Sequence, residues 1–427
     1  MNLIVGSIGP DGPDRWAKVE LEDSSDEGGD DPSAPAAERP RRSTRRISRK
    51  LSVTSIEQAE LLAAKQAFST RRVDLSQIHT LVSGPLRPRT GDLVLCEVVR
   101  VLYQRRIELP NGRKAAINPG DRIIVAYGDR YATDQFEAEV PLDLGKTNLV
   151  ATGGVAAKML SRTSGLRGAT EILPLGLLGD ANGSPLNLKH FALPKRDLCE
   201  NLPPVFAVLG TSMNSGKTTT NQAIAVGLSR AGYRVGTAKV TGTGSGGDYW
   251  SMVDSGATCV VDFTDAGYSA TYKLSLPCLE EIMRDLVHHL ANERMDVILI
   301  EVADGILQEQ NVDFILSPVF QDLVDGIFFA AGEAMGAALG VNRLMALGLP
   351  LVGVSGKLTA SELLIREAQH AFEVPVYRKE QLADPVLIGE ILQLNEHNRI
   401  QAGADSIFAF PDTPVHQEAL VEMRSIA

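Results

Sequence analysis

From Pro204 onward, short apolar runs rich in β-branched residues alternate with longer segments in which polar and apolar positions are mixed. "PVFAVLG" reads as a buried strand, 216–231 as a helix, "YRVGTAK" as a strand, 248–256 as a short helix and "TCVVDF" as a strand. A helix at 279–292, strands at "DVILIE" and "GIFFAA", a helix at 335–347, a strand at "PLVGVSG", a helix at 359–371 and a strand at "VPVY" complete the series. Strands that alternate with helices predict a parallel sheet with both faces covered.

Upstream, from about Pro85, the pattern is of strands alone. "GDLVLCEVVRVLYQRRIEL" and "AAINPGDRIIVAYG" are strand-like, and Asn111-Gly112 between them is a hairpin signal. With "FEAEVPL" as a further strand, a small β-barrel or sandwich is expected. In "NLVATGGVAAKMLSR" a strand-like run meets the Gly153-Gly154 pair and then a helix-like run; a tight turn is the better reading of the glycines than an anion-binding helix start. Asp180 to Gly183 signals another turn. Some such barrels bind oligonucleotides, but Tyr103, Tyr127 and Tyr131 are few for base stacking, which favours a structural or substrate-covering role.

The start of the chain offers few apolar residues to offset the entropy of ordering it. An acidic block from Glu20 to Asp31 precedes a basic block from Arg39 to Lys50, with Pro, Ser and Gly between. A solvated tail is expected there; the sharper alternative is an Arg-rich docking arm for nucleic acid or anionic lipid, switched by phosphorylation at Ser43, Thr44 or Ser48. Residues 54–68 open with the capping-box pair Thr54 and Glu57 and predict one short helix. The domain plan is therefore a largely disordered charged tail at 1–82, a β-rich accessory domain at 83–200, a P-loop domain at 201–395 and a C-terminal extension at 396–427.

Composition narrows the class. A chain of 427 residues suggests about two to three domains. Net charge of −11 argues against a general nucleic-acid binder. Cys96, Cys199, Cys259 and Cys278 form no C-x-x-C pair, so reduced thiols in a cytoplasmic protein are expected rather than zinc or disulfides. No apolar stretch is long enough for a membrane span. The neighbouring His288 and His289 make a poor metal pair and are expected at the surface.

The chemistry concentrates in "VLGTSMNSGKTTT". The usual phosphate-binding spacing, G-x-x-x-x-G-K-[ST], would place its first glycine at 211, where this chain has Thr211 preceded by Gly210. The context still suits phosphate: an apolar strand, a turn whose N–H groups point inward and a helix whose N-terminal dipole faces the anion. Gly210, Thr211, Asn214, Ser215, Gly216, Lys217, Thr218 and Thr219 are the candidate nucleotide contacts, with Lys217 neutralising phosphate charge and the Thr218 hydroxyl holding Mg²⁺.

The shifted spacing has a counterpart. "GTSMNSGKT" resembles the dethiobiotin synthetase loop, whose family belongs to the SIMIBI class of P-loop NTPases shared with the signal-recognition GTPases and the MinD ATPases. "RAGYRVGTAKVTGTGS" resembles that family's second strand, and "DVILIEVADG" the strand that ends in E-G-A-G-G. The resemblance covers about residues 204–380 and implies ATP and Mg²⁺ as cofactors, Lys239 as a substrate and phosphate contact, and Glu301 as an Mg²⁺ ligand beside Thr218 and an aspartate. Asp248 is the candidate aspartate, with Asp254 and Asp262 as alternatives; capping a short helix is its other reading. Val302 and Asp304 replace two glycines of the family pattern, Ser212 replaces an aspartate, and the family's substrate-binding segments are not found. "SGKL" at Ser355 stands where related folds hold the base but matches neither a guanine nor an adenine signature. Tyr249 and Trp250 read as core packing, with substrate packing as the alternative.

The fold expected is α/β, a parallel-sheet P-loop NTPase domain preceded by a small β-rich domain and a disordered tail. The expected function is a Mg²⁺-dependent ATP-binding enzyme with catalytic Lys217, Lys239 and Glu301, activating a small-molecule substrate by phosphoryl transfer or ligation. The competing expectation is a regulatory NTPase whose nucleotide state controls binding to a macromolecule. A homodimer and docking through the Arg-rich tail are further options for its partners.

Overall fold

Six parallel strands form one sheet in the order Cys259–Asp262, Val235–Lys239, Val297–Glu301, Val205–Gly210, Gly326–Ala330 and Leu351–Ser355. The computed structural model describes residues 50–394, all within one compact unit. The charged blocks, apart from Lys50, and the extension at 396–427 lie outside the described residues.

Side-chain alternation explains why this sheet is covered twice. Phe206, Val208, Leu299 and Phe328 pack against Ala223, Ile224 and Leu228 of the helix Lys217–Arg230. Their neighbours Ala207, Leu209, Ile300 and Phe329 pack on the opposite face against Leu279, Ile282, Met283 and Leu286 of the helix Leu276–Asn292. Adjacent strand residues point to opposite faces, so a run that is apolar at every position needs a layer on each side. The expected strands are all present, although "VPVY" contributes only a single bridge between Val354 and Val376. The short helices Glu309–Ile315, Pro318–Leu323, Lys379–Leu382 and Pro385–Ile391 were not expected from the pattern.

The β-rich part contains a closed ring. Thr170–Gly179 pairs with Leu93–Arg100, which pairs with Arg122–Tyr127, then Val155–Arg162, then Thr147–Ala151, which returns to Thr170–Gly179. Closure removes the edges that an open sheet would expose. Val94, Cys96, Val98, Ile123, Val125 and Tyr127 belong to one buried cluster. Leu93, Leu95, Ile124 and Ala126 face a second, completed by Ile56, Leu61 and Phe191. Arg106–Glu108 and Lys114–Ala116 form the expected hairpin, with Gly112 at φ 82° in its turn.

Three local expectations are corrected. Ordered structure begins well before residue 83: Ser52–Ser55 pairs with Thr80–Ser83, and the latter joins the barrel strand Thr170–Gly179. Thr54 therefore lies in a strand ladder rather than at a helix cap; the helix is confined to Gln58–Ala63, and Glu57 at its start makes no side-chain cap. The helix-like run after Gly154 is the barrel strand Val155–Arg162, where Ala156 and Ala157 are small enough for a crowded interior and ladder pairing outweighs their helix propensity. Gly153 and Gly154 form the turn that leads into it, with Gly154 at φ 99°.

Candidate nucleotide site

The site lies where the strands end. Register pairs Glu301 with both Val208 and Lys239, so the P-loop strand, the lysine and the glutamate arrive side by side at the carboxyl edge of the sheet. Open α/β sheets bind ligands in the crevice outside this edge. Between Gly210 and the helix that starts at Lys217, the loop turns through Asn214 at φ 62° and Gly216 at φ 105°. A side chain at 216 would be strained at that φ, and its Cβ would meet Gly356 Cα at 2.8 Å. The loop is held from behind at the same place by Lys357 N–H, which donates to the Ser215 carbonyl at 2.9 Å.

The cradle has the features a phosphate requires. Lys217 Nζ, 6% exposed as a residue, donates to the backbone carbonyls of Ser212 at 2.9 Å and Asp304 at 2.7 Å across the loop. Burial lowers its ammonium from the ordinary value, opposed by Glu301 and Asp304. Ser215 Oγ is buried without a partner among the described residues, as expected of a polar loop that a ligand completes. Asn214, Gly216, Lys217, Thr218 and Thr219 line the cleft above the loop. Gly210 and Thr211 act behind it: Thr211 N–H donates to the Ala330 carbonyl at 3.0 Å, and a Cβ at 210 would meet Ser215 Oγ at 2.4 Å.

Thr218 Oγ1 lies 3.2 Å from Asp248 Oδ1 and 3.4 Å from Glu301 Oε1. Lys239 Nζ bridges the same two carboxylates, hydrogen-bonded to Asp248 and 3.4 Å from Glu301. Burial alone would lower the Lys239 ammonium, but Asp248 and Glu301 hold it well above its ordinary value. Burial would likewise raise Asp248, and Lys239 pulls it below the usual carboxylate range. One hydroxyl and two carboxylates fit Mg²⁺, which takes few protein ligands and completes its shell with phosphate and water. Lys239 occupies the position between those carboxylates, so an ion there requires its ammonium to swing away.

Of the alternative aspartates, Asp254 is exposed at the end of the helix Gly246–Asp254. Asp262 is 4% exposed and receives Arg71 Nη2 at 3.2 Å, together with Thr264 N–H at 2.7 Å. Neither lines the cleft. Tyr249 and Trp250 also lie outside it, in the seam with the β-rich domain. The Arg71 guanidinium sits 4.2 Å from the Phe68 ring centroid and 5.0 Å from that of Tyr249. The expectation for the histidines is corrected: His288 and His289 are 8% and 9% exposed, and His288 Nδ1 accepts the Cys199 N–H at 3.0 Å. The amphipathic helix that carries them turns this pair toward the core side.

The cleft, about 550 Å³, has two owners. Tyr103, Gln104, Arg130, Tyr131 and Gln135 of the β-rich domain form the wall opposite the P-loop. The domains touch at the loop itself, where Asn214 Nδ2 donates to Asp134 Oδ2 at 2.5 Å. Gly246 N–H donates to Glu108 Oε2 at 2.7 Å, and Ser269 Oγ to the Tyr127 carbonyl at 2.6 Å. Arg130, Gln104, Gln135 and the cleft position of Asp304 were not picked out from the sequence, because no local pattern reports which residues of one domain face another. The positive φ of Asp304, 63°, has a sequence trace: it stands where the resembling family carries glycine. A second hollow, about 720 Å³, lies on the barrel near Arg100, Arg162 and Arg167, remote from every residue predicted for the site.

The structure is a P-loop nucleotide-binding fold of α/β class. No family model and no curated protein matches the chain. Among solved structures, it is similar to the signal recognition particle receptor FtsY from Elizabethkingia anophelis, with 19% identity over 45% of this chain and 66% of that one and a TM-score of 0.33. It is similar to the signal recognition particle 54 kDa protein from Aeropyrum pernix K1 in complex with GDP, with 18% identity over 45% and 47% of the two chains and a TM-score of 0.31. The kinase domain of the Escherichia coli tyrosine kinase ETK gives 16% identity over 36% and 68%, with a TM-score of 0.27. The chain thus spans just under two thirds of the receptor and about half of the particle protein. Such low similarity transfers no activity, and the dethiobiotin synthetase resemblance rests on its three sequence motifs alone. Among the described residues no helix is long and apolar enough to cross a membrane.

Proposed function

We propose that the chain is a Mg²⁺-dependent P-loop NTPase that works as a nucleotide-controlled switch, its β-rich domain reading what the P-loop holds and passing that state to a macromolecular partner. The observation that carries this reading is the direct bond from Asn214 of the P-loop to Asp134 of the β-rich domain. A ligand seated on the loop acts on that contact, so its occupancy biases how the domain sits. Lys217 and Lys239 would hold phosphate oxygens, while Thr218, Asp248 and Glu301 would hold Mg²⁺, whose chemistry is to neutralise phosphate charge.

A second reading, ATP-driven activation of a small molecule, draws support from the cleft wall. Tyr103, Tyr131, Gln104 and Gln135 supply aromatic and hydrogen-bonding surface that phosphates do not need. One pair of measurements separates the readings. Hydrogen exchange across 130–136 and 241–246, in Mg-ADP, Mg-GDP and the nonhydrolysable triphosphates, should change with the γ-phosphate for a switch. Identical exchange in all four, together with phosphate release that rises only on adding a small-molecule extract, would replace the switch by the enzyme.

A further inference from the structure

Arg130 is the most conspicuous polar group that the site description leaves unexplained. It begins the two-residue strand Arg130–Tyr131 of the β-rich domain and is 6% exposed. Nη2 donates to Gln135 Oε1 at 2.8 Å, whereas Nε and Nη1 are buried without a partner among the described residues. Burial pushes its guanidinium down to about 10, against the pull of Asp134. Leaving two donor nitrogens of a buried cation unpaired is costly, and such groups ordinarily have a partner that supplies the missing bonds.

The surroundings indicate where that partner sits. Arg130 lines the same cleft as Lys217 and Thr218. Asp304 interacts electrostatically with Lys217, Lys239 and Arg130 together, and its own carbonyl receives Lys217 Nζ at 2.7 Å. The P-loop lysine and the barrel arginine therefore line one cleft with Asp304. The Arg130 position is braced: the Phe136 ring centroid lies 5.7 Å from its guanidinium carbon, and Asp134 is tied to the P-loop residue Asn214. Nε and Nη1 lie on different edges of the guanidinium, and each can donate to an anionic oxygen brought into the cleft.

We propose that Arg130 is an arginine finger supplied in cis by the β-rich domain, its guanidinium donating to the terminal phosphate of a nucleoside triphosphate held on the P-loop. The proposal rests on the nucleotide reading above and adds the device by which the barrel tells a triphosphate from a diphosphate. A diphosphate on the loop lacks the oxygens that Arg130 reaches, so the contact is made in one nucleotide state only.

The test is calorimetric titration of the full chain and of Arg130→Gln and Arg130→Lys with ADP, GDP and their β,γ-imido triphosphates, all with Mg²⁺. Thermal melting confirms that each variant folds, and Arg130→Gln keeps most of the side-chain volume. The expected result is a loss of roughly ten- to hundredfold in triphosphate affinity in Arg130→Gln, with diphosphate affinity unchanged and Arg130→Lys between. Equal weakening of both nucleotides, or no change in their ratio, would assign Arg130 to packing and overturn the finger while leaving the nucleotide reading intact. A wild-type chain that binds none of the four would overturn both.

Discussion

Two buried charge clusters stand close together at the carboxyl edge of the same sheet, built from nearly the same residue types. One joins Lys239 to Asp248, Glu301 and Thr218; the other joins Arg71 to Asp262, Asp265 and Thr264. The first opens into the cleft, with the Asp248 side chain 31% exposed. The second is shut: Arg71 reaches over from the β-rich domain, and its aspartates' side chains are 5% and 7% exposed. Asp262 and Asp265 raise the Arg71 guanidinium above its ordinary value although burial works against them. Residue type alone therefore does not separate a binding site from a latch. What separates them is whether the cation faces a void or fills one.

Predictions follow from that contrast, in falling order of effect. Lys217→Ala should abolish nucleotide turnover, by at least about 10²-fold, with a near-native melting temperature; undiminished phosphate release would remove the P-loop chemistry altogether. Arg71→Met should cost about 3–5 kcal/mol in urea unfolding, since it removes the cation shared by two buried carboxylates, while the protein that remains folded keeps its nucleotide affinity. Lys239→Met should show the reverse balance. Its carboxylates can recruit water or Mg²⁺ from the cleft, so turnover falls by about tenfold or more while stability changes by only about 1 kcal/mol. Equal stability losses in the two variants would erase the distinction between site and latch.

The smallest effect belongs to two buried imidazoles away from the cleft. Burial holds the His288 and His289 imidazoles below the ordinary histidine value. As pH falls through about 6.5, the unfolded chain takes up protons that the folded chain refuses, so stability declines with falling pH. Melting temperature should drop by a few degrees between about pH 7.5 and 5.5, and His289→Gln should flatten that slope. A slope of opposite sign would mean that these imidazoles are stabilised as cations.

How much of this was legible beforehand tracks the range of the interaction responsible. The parallel sheet is written in local periodicity, and strands such as "VFAVLG" and "VILIE" stand where the apolar runs put them. Lys217, Thr218, Lys239, Asp248 and Glu301 were readable as candidates because they end a strand or open the helix that follows one, and the structure brings them together. The barrel strand Val155–Arg162 was misread because its alanines suit either period and only partner strands decide. Arg71 and Arg130 were invisible for a stronger reason. Arg71 meets its carboxylates across about 190 residues of chain, and no local pattern encodes a meeting of that range.

The turn at Gly153 bears on how such a protein can change over evolutionary time. A Cβ there would meet the Gly244 carbonyl oxygen at 2.2 Å, so the barrel touches the strand-end loop of the α/β domain backbone to backbone. Side-chain seams can be re-fitted one substitution at a time, each change answered by another. Two bare backbones in contact leave nothing to trim. A foreign barrel grafted onto this α/β domain would have to present the same side-chain-free turn at the same height, which makes the pair of domains, rather than either one, the unit that can be recombined.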